Sequence, residues 1–259
     1  AIRDHRITFD TLFTVSRTAA MQAPTKMGFP VGTQVTVDNA IKMMMVKSAN
    51  DMAMLLAEGI GGSVDGFAQE MTETAHRLGM SESNWVNPNG LPADGQITSA
   101  RDLAILARAL IREFPQYSFY WHIPAIQYGR RVVRNYNPLL GRYPGVDGMK
   151  TGFICASGFN LVATATRDNK ELVAVVLGAP SGAARAVKAA EMLESGGLLR
   201  SDTHMAHLHL RARPCMHEFM GKCVRMAITV DRLVDFLAAR RGNRPENHAH
   251  LLAGRYAHS

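Results

Sequence analysis

The triplet Lys150-Thr151-Gly152 lies in Val146-Asp147-Gly148-Met149-Lys150-Thr151-Gly152-Phe153, at the start of an apolar, alternating segment. On a strand, the triplet offers an ammonium, a hydroxyl and a bare stretch of backbone along one edge. Gly152 has no Cβ, so a ligand can lie directly against the chain there. Such a set suits an anionic substrate with a carbonyl to be polarised. The same three residues also describe a strand end with a solvated lysine. A second stretch bears on that choice. Ser48-Ala49-Asn50 stands 102 residues earlier, in a break between two apolar helical runs.

Ser-x-Asn followed at this distance by Lys-Thr-Gly resembles the penicillin-recognising serine enzymes. More specifically, the chain resembles the low-molecular-mass D-alanyl-D-alanine carboxypeptidases. Three further stretches carry the resemblance: Asn87-Pro88-Asn89-Gly90-Leu91, Thr98-Ser99-Ala100-Arg101-Asp102-Leu103, and Gly158-Phe159-Asn160-Leu161-Val162-Ala163-Thr164-Ala165. The match runs from about residue 7 to about residue 197. One motif of the family is missing. Its nucleophile is a Ser three residues before a Lys, N-terminal to Ser-x-Asn. Here the residues three before each Lys are Ala23, Asn39, Met44, Asp147, Arg167, Arg185 and Phe219. The expectation is a fold incomplete at its N-terminus, in a fragment or processed form that is inert as written.

The resemblance implies an acyl transfer at the carbonyl between two D-alanines of a peptidoglycan stem peptide, with β-lactams as alternative ligands. It implies no cofactor, no metal and no nucleic-acid partner, and a periplasmic or otherwise extracytoplasmic location. Such chemistry needs an activated nucleophile, a proton shuttle, an oxyanion hole and an anchor for a carboxylate. By resemblance Ser48 is the shuttle hydroxyl, Asn50 bonds the motif lysine and the substrate amide, and Lys150 polarises the shuttle. Thr151 binds the terminal carboxylate, Gly152 leaves room beside the strand, and the Phe153 N–H donates to the oxyanion. The i, i+2 spacing of Ser48 and Asn50 off a helix lets both side chains point into one cleft. Two positions depart from the family. Phe153 stands where some relatives have His. Asn135-Tyr136-Asn137 stands where some have Arg between two Asn, which leaves the carboxylate to Thr151, Lys150 and Arg134.

Two other functions compete. A β-lactamase of similar fold needs a glutamate to activate the deacylating water, and Glu82 lacks the Glu-x-x-Leu-Asn surroundings. A non-catalytic binder of stem peptides or β-lactams, or a remnant, is favoured by the missing Ser-x-x-Lys.

The elements that must position these residues read as α+β: several helices, then strands, then a helix, forming a helical lobe against an antiparallel sheet. Thr36 caps a helix with Asp38 in its first turn. The Met-rich face that follows reads as core filler or as a ligand groove. Residues 51–58 form the next helix, stopped by Gly59, Gly61 and Gly62. Ser63 caps a third helix, and Ser99 opens a fourth with Asp102 at capping-box spacing. Residues 159–167 and 171–177 alternate around Asp168-Asn169-Lys170, a hairpin signal. Residues 183–193 read as an amphipathic helix. With its N-terminal elements absent, the fold should show about three sheet strands, an open cleft between Ser48 and Lys150, and an exposed apolar face on residues 43–56.

Composition divides the chain into residues 1–199, the enzyme-like domain, and a basic, His-rich extension at 200–259. The whole carries +7, and the extension holds ten Lys/Arg against five Asp/Glu. It suits an anionic surface such as phospholipid or cell-wall polymer, allowing peripheral membrane association, or it is a solvated tail. Seven of ten His fall there, but His204, His207, His209, Cys215, His217 and Cys223 match no zinc spacing. Val230, Leu233, Val234 and Leu237 mark one helical face, with no strand alternation. Cys215 and Cys223 could pair in an oxidising compartment. No run of eighteen apolar residues encodes a transmembrane helix.

Overall fold

The computed structural model describes residues 1–167, 169–198 and 225–229. The readings made above for the tail histidines, for Cys215 and Cys223, and for the 230–237 helical face lie outside the described residues.

The chain opens with a short strand β1 (Leu12–Thr14), a single turn α1 (Arg17–Ala20) and a strand β2 (Gln34–Thr36) that pairs antiparallel with β1. Three helices follow: α2 (Val37–Lys47), α3 (Asn50–Gly61) and α4 (Val64–Leu78). Each boundary has a local cause. The Thr36 hydroxyl accepts from Asn39 N at 3.3 Å, and the Ser63 hydroxyl accepts from Gly66 N at 2.9 Å. Both satisfy donors that the first helical turn leaves free. Gly79 ends α4 in the left-handed region at φ 85°, with its N–H returned to His76 O, a conformation that a Cβ would penalise. Helix α5 (Ala100–Glu113) starts where the Ser99 hydroxyl accepts from Asp102 N at 3.2 Å. A 3₁₀ turn and the short α6 (Phe119–His122) lead to a hairpin of β3 (Ala125–Tyr128) and β4 (Arg131–Arg134).

The main sheet follows: β5 (Val146–Ile154), β6 (Gly158–Arg167) and β7 (Lys170–Ala179), then α7 (Gly182–Leu198) and β8 (Arg225–Thr229). The order is β5-β6-β7-β8, antiparallel throughout. This is an α+β fold. Along β7, Leu172, Ala174 and Val176 face the cluster built with Ala189 and Leu193 of α7. Val173 and Val175 face the cluster of Ala100, Ala104 and Ala107 from α5 with Trp121 and Met149. Helices therefore cover both faces, and β7 is apolar at every position across the middle instead of alternating with polar residues.

Two expectations need correction. The sheet has four strands among the described residues, not three, because Arg225–Thr229 pairs with β7 from within the basic extension. Exposure of the Met43–Leu56 region is confined to α2, where the methionines are partly buried. In α3 every residue from Asn50 to Ala57 is buried. Residues 1–36 supply the cover: Ile2, Ile7, Phe9, Phe13 and Val15 join the cluster around Met52 and Leu55. At roughly 1.5–3 kcal/mol for each large apolar side chain, that cover is a major part of what holds the helical lobe together.

Candidate active site

Helix α2 ends at Ser48, whose left-handed backbone (φ 55°) turns the chain sharply before Asn50 begins α3. Ser-x-Asn is thus the corner between two helices. A loop from the N-terminal region is bound to this corner. The Thr25 hydroxyl donates to Lys47 O at 3.1 Å and to Ser48 O at 3.0 Å, while Asn50 N donates to Thr25 O at 2.8 Å. Asn50 Nδ2 donates to Ala23 O at 2.9 Å. Asp51, fully buried, accepts from Met27 N at 3.0 Å, Gly28 N at 2.9 Å and Met52 N at 3.0 Å. A carboxylate holding three backbone N–H groups is a strong and directional clamp. Nothing in the sequence reading singled out Asp51. The available signal was an acid placed immediately after Ser-x-Asn, on a helix otherwise apolar at that depth.

Strand β5 brings the second half of the site. It has a strand neighbour only on its β6 side among the described residues, so its outer edge is open. Lys150 pairs with Val162, Thr151 with Leu161, Gly152 with Asn160 and Phe153 with Phe159. From this edge, Lys150 Nζ donates to Ser48 Oγ at 2.9 Å and to Thr151 O at 2.8 Å. Burial, reinforced by the nearby Arg185 charge, lowers the Lys150 pKa to about 8. A lysine so poised exchanges its proton close to neutral pH, which an ordinary solvated lysine does not. Gly152 and Phe153 are exposed at the open end, and the Phe153 ring lies 4.3 Å from Phe159 across the strand pair. The Phe153 side chain, 54% exposed, forms rim and not core.

Arg185, on α7, was missed. It is buried, donates from Nη1 to Asn160 O at 3.0 Å, and lies over the Phe159 ring at 5.8 Å. Burial lowers its pKa, and its Nε is buried without a partner. It therefore places a second positive charge behind the Lys-Thr-Gly strand. The signal lay in the α7 pattern, where Arg185 occupies the same stripe as Ala189, Met192 and Leu193. Arg134, by contrast, is exposed on β4 and makes no contact with the Lys150 group among the described residues. The Asn135-Tyr136-Asn137 stretch has a local structural task. Asn135 Nδ2 donates to Ile123 O, and Asn137 Nδ2 donates to Gly148 O at 3.1 Å, anchoring the approach to β5.

A helical lobe and an antiparallel sheet that meet at Ser-x-Asn and Lys-Thr-Gly define the DD-peptidase class of fold. The family described as D-alanyl-D-alanine carboxypeptidase matches residues 1–181, and the chain belongs to it. D-alanyl-D-alanine carboxypeptidase DacD of Escherichia coli (strain K12) is 35% identical over 203 residues, 76% of this chain and 52% of that protein. The crystal structure of penicillin binding protein 5 from Haemophilus influenzae superposes with a TM-score of 0.72 at 32% identity, covering 76% of this chain and 59% of that one. Penicillin-Binding Protein D2 from Listeria monocytogenes, in its cefotaxime-bound form, gives 0.66 at 27% identity, covering 75% and 79%. The chain spans about half the length of the curated relatives it matches.

Proposed function

We propose that this chain forms the Ser-x-Asn and Lys-Thr-Gly walls of a serine-type D-Ala-D-Ala carboxypeptidase site acting on peptidoglycan stem peptides outside the cytoplasm, and that β-lactams occupy the same cleft. The observation that carries the reading is the 2.9 Å hydrogen bond from Lys150 to Ser48 at the open edge of β5. In this mechanism a nucleophilic serine attacks the carbonyl between two D-alanines. Ser48 relays its proton to the departing amine, and Lys150, with a pKa of about 8, keeps that relay polarised. Thr151 receives the terminal carboxylate against the positive field of Lys150 and Arg185. The Phe153 N–H donates to the oxyanion, with Gly152 leaving the strand edge clear for the substrate. Water then releases the acyl group. Family membership and the cefotaxime-bound relative support this substrate class and ligand class.

No Ser precedes a Lys by three within these 259 residues, which favours a second reading for the polypeptide as it stands: it binds without acylating. Incubation with a fluorescent penicillin followed by intact-protein mass spectrometry separates the two. We expect no covalent adduct on this polypeptide. In a version that carries a Ser-x-x-Lys helix ahead of Ala1, we expect stoichiometric labelling that Ser48→Ala and Lys150→Ala each slow more than about tenfold, since a placed proton relay contributes roughly 10²–10⁴ in rate. An adduct on the shorter polypeptide would overturn the first expectation. Near-normal labelling in either variant would remove that residue from the mechanism.

A further inference from the structure

Between Glu113 and Asp147 the chain carries no acidic residue and four arginines, Arg130, Arg131, Arg134 and Arg142. All four are exposed, and none of their side chains makes a hydrogen bond, ion pair or ring contact among the described residues. Three arginines elsewhere pair with carboxylates: Arg3 with Glu113, Arg6 with Glu70 and Arg167 with Glu194. Three of the four unmatched ones belong to the β3–β4 hairpin, with Arg130 in its turn, Arg131 opposite Tyr128 and Arg134 opposite Ala125.

The hairpin has an inner and an outer face. Ile126 and Val133 pair directly and are partly buried where the hairpin meets α2, and the Tyr128 ring stands 5.6 Å from Phe29. Strand alternation then sends Val132 and Arg134 outward together. Val132 is 67% exposed, and Tyr136 just beyond is 44% exposed. The sole acidic residue of α2, Asp38, already receives Lys42 at 2.6 Å and the Tyr120 hydroxyl at 2.8 Å. No described carboxylate is therefore left on the supporting helix to neutralise the hairpin.

Unpaired guanidiniums around an exposed valine and tyrosine combine two chemistries. A soluble polyanion engages the guanidiniums alone. An anionic bilayer engages both, with arginine at the lipid phosphates and the apolar and tyrosine side chains at headgroup depth. We propose that the β3–β4 hairpin is a docking site for an anionic phospholipid surface, with Arg130 in the turn and Arg134 on the outer face meeting phosphates and Val132 entering the interface. Its residues precede the basic extension at 200–259 in the sequence. Because Tyr136 N donates to Val46 O, two residues before Ser48, a docked hairpin holds the cleft corner beside the lipid surface.

The test uses the full 259-residue chain and vesicles of phosphatidylcholine alone or mixed equally with phosphatidylglycerol. Hydrogen exchange of the peptide covering 125–134 should slow several-fold with the anionic vesicles and stay unchanged with the neutral ones. At roughly fivefold in affinity per arginine near such a surface, the combined variant Arg130→Gln, Arg134→Gln should abolish that slowing. It should also weaken vesicle co-sedimentation by up to about twenty-fivefold. Val132→Ser should reduce the slowing with all charges intact, and it alters only an exposed position. Co-sedimentation with unchanged exchange at 125–134 would overturn the proposal by placing the binding elsewhere in the chain. Equal slowing by soluble polyphosphate, indifferent to Val132→Ser, would overturn it in favour of a phosphate-polymer site.

Discussion

Replacing Lys150 with methionine tests the electrostatics of the cleft without involving turnover. The side chain keeps similar length and loses its charge. Lys150 titrates near 8 in the folded protein against 10.5 for a free lysine. Below pH 8 both the folded and unfolded forms hold the proton, and the folded form bears the desolvation of a buried ammonium. Between pH 8 and 10.5 the folded form sheds the proton while the unfolded form keeps it, so stability rises with pH by about 1.4 kcal/mol per unit. Above 10.5 both are neutral and the rise stops. Across the window the gain is at most about 3 kcal/mol, reduced by the solvent access the site retains. Lys150→Met has no such transition. We therefore expect the variant to exceed the parent in stability by about 1–3 kcal/mol at pH 7, with the difference shrinking steadily between pH 8 and 10.5. Urea unfolding of both proteins at half-unit steps from pH 6.5 to 10.5 reads this directly, because the other titrating groups cancel in the difference. A difference that does not change with pH, or that grows on the alkaline side, would refute a buried, destabilised ammonium at this position.

Asp51→Ala leaves the N–H groups of Met27 and Gly28 without their acceptor. It should lower unfolding free energy by about 3–5 kcal/mol, read by thermal or urea melts; a loss under about 1 kcal/mol would show that the clamp is dispensable. Arg185→Met removes a like charge from beside Lys150, so the Lys150 transition should move upward from about 8 while staying below 10.5, because burial remains. Side-chain NMR of the lysine across pH measures it, and an unmoved or lowered transition would contradict the coupling.

Much of the fold is legible in the chain because its causes are local. Thr36, Ser63 and Ser99 each satisfy an N–H three residues ahead, and Gly79 adopts a backbone that other residues resist. The hairpin of β6 and β7 is marked by two apolar runs on either side of Asp168-Asn169-Lys170, and the amphipathic α7 by a period of 3.6 residues. The order Ser-x-Asn then Lys-Thr-Gly, with the stretches at 87–91, 98–103 and 158–165, was likewise enough to point to the family. Other features depend on which surfaces meet. Ser48 and Lys150 stand 102 residues apart, and their 2.9 Å contact exists only because α2 ends in a left-handed corner opposite an open strand edge. The same holds for the wrapping of α3 by residues 1–36, for β8 completing one side of the sheet, and for Arg185 taking a place on an apolar stripe. Nor does any short window reveal that Asp51 reaches back to Met27 and Gly28. A cap is settled by neighbours within a turn or two, whereas burial of a charge depends on distant segments closing around it. The sequence alone therefore determined most of the elements and the motif residues, while the tertiary structure decided that β8 joins the sheet, which residues touch, and which charge sits close enough to shift the Lys150 pKa.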